Sequence, residues 1–163
     1  VSKQILQCPP STSAGNRAIT DWWRQAHEQM LKLCEELETI ADSLPANVNR
    51  QKCLCAAKAL GTLIKEIHDY ENGVLFPSLE ASIADDGLRK TLARLRQEHF
   101  EDACFAEELQ ERLMALGMAR PDVNMEATGY MLRGFFEAVR RHVAFEREHL
   151  LAWLGGKGSP VAA

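Results

Sequence analysis

Apolar residues recur every three or four positions through four long stretches of the chain, and the breaks between them fall at proline, asparagine, aspartate and glycine. Trp23, His27, Met30, Cys34, Leu37, Ala41 and Leu44 share one face of a first helix, expected to start at the capping residue Thr20 with Asp21 in its first turn. Pro45 and Asn47 separate it from a second helix that turns Cys53, Leu60, Ile64 and His68 inward; Pro77 then predicts a kink, or a short further piece to about Asp85. Asp85-Asp86-Gly87 signals a turn and a cap, and Leu88, Leu92, Leu95, His99, Ala106, Leu109, Leu113 and Leu116 trace a third helix to Gly117. Pro121-Asp122 opens a fourth, with an inward stripe of Thr128, Met131, Phe135, Val139, His142, Glu146, His149 and Trp153 before Gly155-Gly156. Long helices joined by short loops predict an all-α, up-down-up-down four-helix bundle over residues 20–155. Residues 1–19 read as an irregular leader and 156–163 as a tail.

Each of these apolar faces is interrupted by a histidine. Burying a neutral polar group without a partner costs roughly 2–7 kcal/mol, so four such histidines need something to bind. Their depth follows from the loops, because helices that alternate in direction fix the level of every residue. Counted from the shared end of the bundle, His27, His68, His99 and His142 lie about 17, 21, 18 and 20 residues down, within about 6 Å of one level at 1.5 Å per residue. Glu71 and Glu146 fall about one turn below, on the second and fourth helices, which are diagonal in this topology. Imidazoles from four helices with two diagonal carboxylates suit a pair of cations, the carboxylates bridging ions about 3.5–4 Å apart. Histidine ligation favours iron or manganese over magnesium, and the lack of cysteines on this face argues against a structural zinc. His149, on the same expected face but deeper, is taken as a core or supporting histidine or an extra ligand, since Glu146-Arg-Glu-His149 spells Glu-x-x-His.

Composition narrows the function further. Nineteen Lys and Arg against 23 Asp and Glu give a net charge of −4, no footprint for nucleic acid or an anionic membrane surface. Cys8, Cys34, Cys53, Cys55 and Cys104 have no zinc-ribbon spacing and are expected as free thiols, which fits a soluble cytoplasmic protein. No apolar run approaches the roughly 18 residues of a membrane span. Cys53 and Cys55, two apart, point in different directions on a helix and make no redox pair. No Ser/His/Asp or Cys/His order converges, so nucleophilic hydrolysis is not supported, and with no general acid or substrate pocket legible a peroxidatic or oxidase-like enzyme is expected less than a binding protein.

From Trp22 to Trp153 the chain resembles the hemerythrin-like, or HHE cation-binding, family. The resemblance rests on His27, on His68-Asp-Tyr-Glu71 followed by Leu75-Phe-Pro77-Ser-Leu-Glu80, on Glu98-His99, and on His142-Val-Ala-Phe-Glu146. It implies an up-down bundle around a non-haem di-iron site, with His27, His68, Glu71, His99, His142 and Glu146 as ligands and both glutamates bridging. Two iron ions are implied, with manganese or zinc as alternatives, bridged by oxo, hydroxo or water. Two departures stand out. Oxygen-carrying members place a second histidine one turn after the third-helix ligand, where this chain has Ala103, and their second-helix glutamate stands where this chain has Asn72. The register of the second helix is therefore open between Glu71 and Asn72, and one ion would have a free position for His149, Asp102, solvent or an exogenous ligand. Response to dioxygen, nitric oxide or peroxide, or iron sensing through a protein partner or a second copy, is expected ahead of reversible oxygen carriage. The alternative is a helical interaction module whose core histidines bond one another and hold no metal.

Overall fold

The computed structural model describes residues 16–154, with side chains from residue 18. The elements are α1 (Asn16–Ser43), α2 (Arg50–Tyr70), a π-helical turn (Glu71–Leu75), α3 (Phe76–Ser82), α4 (Asp86–Gly117) and α5 (Met125–Leu154). No strand occurs among the described residues. α1 packs on α2 and α5, and α4 packs on the same two, so α2 and α5 face each other diagonally across an up-down-up-down bundle.

Local chemistry sets most helix ends. The Asn49 side chain accepts from the Lys52 N–H at 3.0 Å, Asp85 from Leu88 at 2.6 Å, and Asn124 from Ala127 at 2.9 Å, each satisfying an N–H that the first turn leaves open. Thr20, expected as the first cap, lies inside α1 instead; it is buried, and its hydroxyl donates to the Leu154 carbonyl at 3.4 Å. α4 ends at Gly117, and Ala119 just beyond adopts a left-handed conformation with φ of 58°. There its N–H reaches the Leu116 carbonyl and that of Arg120 reaches Ala115, closing the helix.

The break expected at Pro77 begins earlier. Pro77 has no N–H to give to the carbonyl four residues back, that of Gly73, and a regular helix through it would lose a bond. The chain widens instead into a π turn, in which the Phe76 N–H bonds to the Glu71 carbonyl, and α3 then restarts with Pro77 in its first turn. Glu71 is fully buried, while Asn72 is half-buried at the edge of the same region. On α5 the inward positions are Leu132 rather than Met131, and Leu150 and Leu154 rather than His149 and Trp153. Gly155, Gly156, Cys8 and most of the expected leader lie outside the described residues.

The core is one continuous cluster running from Trp23 and Phe76 to Leu113 and Phe135. Leucines of α4 fill the end beyond the histidine level, with Leu109 and Leu113 fully buried. Apolar packing of this extent supplies the stability that lets a polar centre be buried in the same bundle.

Candidate metal centre

Four helices and the π turn deliver six polar side chains to one interior space: His27 from α1, His68 from the end of α2, Glu71 from the π turn, His99 from α4, and His142 and Glu146 from α5. All are at most 4% exposed. They fall into two clusters, His68 with His99 and His142, and His27 with Glu71 and Glu146; within each, one donor atom per residue lies within 4.8 Å of the others. The carboxylates join the clusters. Glu146 Oε2 is 2.8 Å from His27 Nε2, while its Oε1 is 3.5 Å from His142 Nε2 and 3.7 Å from His99 Nε2. Glu71 reaches His27 Nε2 with Oε1 at 4.0 Å and His99 Nε2 with Oε2 at 3.5 Å.

Outer contacts orient the rings. The Asn72 Oδ1 stands 2.9 Å from His99 Nδ1, and the Glu98 carboxylate 3.2 Å from His142 Nδ1. With Nδ1–H donated outward to these acceptors, both rings turn Nε2 inward, where the two nitrogens lie 3.1 Å apart. Two neutral lone pairs cannot face each other at that distance, so a proton or a metal cation belongs between them. Arg147 Nε donates to His27 Nδ1 at 3.2 Å, and Trp23 Nε1 donates to Glu71 Oε1 at 3.0 Å while its ring packs 4.1 Å from that of His27. His68 has no such support. Its ring stacks on His99 at 3.9 Å, and both of its buried nitrogens lack a hydrogen-bond partner, as do Glu71 Oε2 and Glu146 Oε1.

Titration follows this layout. Burial raises the Glu71 carboxyl well above the usual range, and the neighbouring Glu146 adds to the effect. Burial also works against ionised Glu146, but hydrogen bonds from His142, His27 and His99 outweigh it and hold that carboxyl well below its ordinary value. Two buried acids sharing a site are driven apart in this way. Burial, reinforced by His99 and His142, keeps His68 neutral, and burial lowers His99 as well. His142 is opposed by burial yet ends raised, because Glu146, Asp102 and Glu98 surround it. Orphaned inward nitrogens and carboxylate oxygens are the atoms a divalent cation would satisfy, and the mixed imidazole and carboxylate set fits iron, manganese or zinc.

Residues 18–154 match the family model of the hemerythrin HHE cation-binding domain. The chain belongs to that family. Comparison with curated proteins and with solved structures gave no match. Membership carries cation binding, and the buried histidines and glutamates of this HHE domain are groups that could hold a metal. No helix among the described residues is long and apolar enough to cross a membrane.

Within this HHE domain the three further positions singled out in the sequence have different fates. Asn72 does not join the donor clusters but stands behind His99. Asp102 is buried, with an unpartnered Oδ2 3.8 Å from His142 Nδ1, and burial pushes its carboxyl up to about 6. His149 is exposed rather than inward; its Nδ1 bonds the Phe145 carbonyl and its ring stacks on Phe145, so it reaches neither cluster. Sequence reasoning missed the parts played by Trp23, Glu98 and Arg147. Trp23 sits one turn before His27, Glu98 precedes His99, and Arg147 follows Glu146, so adjacency to an inward histidine or glutamate was the available signal.

Proposed function

We propose that this HHE domain holds a pair of iron ions between its two donor clusters and uses them to bind or respond to dioxygen, nitric oxide or peroxide. His68, His99 and His142 would serve one ion and His27 the other, with Glu71 and Glu146 shared between them. The observation that carries the reading is the opposition of the His99 and His142 Nε2 atoms at 3.1 Å beside a His68 whose ring nitrogens have no hydrogen-bond partner. A bonded histidine core serving only for packing would satisfy its own nitrogens. When bound, a ferrous pair supplies electrons and an open coordination position for a small oxidant. The chain's own groups do the rest. Glu98 and Asn72 hold the His142 and His99 rings with Nε2 inward, and Trp23 fixes one oxygen of Glu71. For His27 to present a free Nε2, its proton moves to Nδ1 and Arg147 turns away.

Anaerobic loading with ferrous iron, followed by air, tests the reading. Two irons per chain and the near-ultraviolet absorption of a bridged ferric pair are expected. A chain that takes up no iron, manganese or zinc under these conditions is instead a helical interaction module with structural histidines.

A further inference from the structure

Among the six candidate ligands, the atoms without hydrogen-bond partners all sit on one side of the centre. Both nitrogens of His68 are unbonded, and the two unbonded carboxylate oxygens, Glu71 Oε2 and Glu146 Oε1, each lie 3.5 Å from an Nε2 of the same three-histidine cluster, that of His99 for the first and of His142 for the second. The other side is satisfied by protein groups alone. His27 Nε2 and Glu146 Oε2 are 2.8 Å apart, Glu71 Oε1 accepts from Trp23 at 3.0 Å, and Arg147 Nε meets His27 Nδ1 at 3.2 Å.

Arg147 decides which form His27 takes. A guanidinium N–H only donates, so His27 Nδ1 presents its lone pair, and the single hydrogen of the neutral ring sits on Nε2, where it donates to Glu146 Oε2. His99 and His142 are held the opposite way, because Asn72 Oδ1 and the Glu98 carboxylate accept from Nδ1–H and leave Nε2 bare. One contact from α5 thus occupies two donor atoms on the His27 side: a hydrogen covers His27 Nε2, and the same hydrogen takes the Glu146 oxygen that faces it. To ligate through Nε2, the neutral ring must carry its hydrogen on Nδ1, directly against the N–H of a positive group. Arg147 is half-buried, and no carboxylate among the described residues pairs with it, so its charge is not offset there.

We infer that Arg147 is a positioning residue that sets how tightly the His27 cluster holds a cation, by keeping His27 in the tautomer that cannot ligate. The inference rests on the two-ion reading and assigns the weakness of one of the two positions to a single side chain. Glutamine and methionine match arginine in length out to Nε. Arg147→Gln can turn an amide oxygen to accept from Nδ1–H, as Glu98 does for His142, while Arg147→Met only removes the N–H. Zinc is the probe, titrated into the full chain against a chromophoric chelator. The readouts are the two zinc dissociation constants and, in metal-free wild type, the nitrogen that carries the His27 hydrogen, found from long-range proton–nitrogen NMR correlations. Metal-free wild type is expected to show Nε2–H at His27. Arg147→Gln should bind the weaker zinc at least tenfold more tightly, the reverse of the loss that removing a supporting partner brings, and Arg147→Met should do so by a smaller factor, with the tighter zinc and the helicity unchanged. A second zinc measurable only in the variants supports the inference equally. Two zincs in every chain with the weaker one no tighter in a folded variant overturns it and spares the two-ion reading, as does an Nδ1–H His27 in metal-free wild type. No more than one zinc in any of the three chains sinks the two-ion reading and the inference together.

Discussion

His68 is the residue at which function and stability pull hardest against each other, and Leu in its place separates them. The ring is 96% buried, stacked on His99 at 3.9 Å with 7° between the planes, and neither nitrogen is bonded. Leaving a buried polar group unsatisfied costs about 1–3 kcal/mol, and leucine removes that cost while filling similar space. Metal-free H68L is therefore expected to melt about 2–12 °C above metal-free wild type, at about 2–4 °C per kcal/mol for a chain of this size. Metal reverses the order. A ligand at a hundredfold excess over its dissociation constant stabilises by about 2.7 kcal/mol, which wild type gains and H68L largely loses with one donor missing. The assay is a thermal melt by circular dichroism on chelator-treated and metal-loaded samples, with metal content determined on the same material. A metal-free H68L that melts below wild type, or one that still binds the full complement of metal, would refute the reasoning.

Glu98→Ala removes the acceptor behind His142, and loss of such a partner typically weakens metal affinity 10–100-fold, a change that competition with a chromophoric chelator would read out. Ala119→Gly should stabilise the protein by about 1 kcal/mol, because a left-handed alanine carries a Cβ penalty that glycine lacks; urea denaturation with an unchanged slope checks it. Burial pushes the Cys34 thiol from 9.0 up to about 12, so the folded state keeps a proton that the unfolded chain releases once the pH passes 9. That contribution is whole below pH 9 and is lost as pH rises toward 12, amounting to about 1.4 kcal/mol by pH 10. Cys34→Ala should therefore show a shallower fall in stability between pH 9 and 10 than wild type, whatever its starting level.

The architecture and the meeting of the donors were legible because both depend on counting. Short loops fix where each helix starts and a fixed rise fixes depth, and the count brought His68, His99 and His142 together as the fold does, whereas His27, counted level with them, groups instead with Glu71 and Glu146. Facing is harder to read than depth. From Glu146 the stripe could step three residues to His149 or four to Leu150, and periodicity alone does not choose; packing chose the leucine, whose burial costs nothing polar. The same ambiguity put Met131 where Leu132 belongs. Glu71 and Asn72 posed a further version of it, and the answer lay in backbone geometry that no side-chain pattern encodes. The π turn forced upstream of Pro77 leaves Glu71 at the end of regular helix and lets Asn72 swing behind His99. Support contacts such as Trp23 to Glu71 join residues 48 positions apart and become visible only when α1 and α2 lie side by side.

The two donor clusters are unlike, and that inequality reaches beyond where the atoms sit. Three imidazoles gather on one side, whereas the other offers a single imidazole and leans on carboxylates held in common. Two cations drawn from a scarce supply would therefore enter in order rather than together, and a half-filled protein would be a distinct species with its own spectrum and its own melting point. Under the proposed pair of ions, such a chain would fill in two steps as metal becomes available.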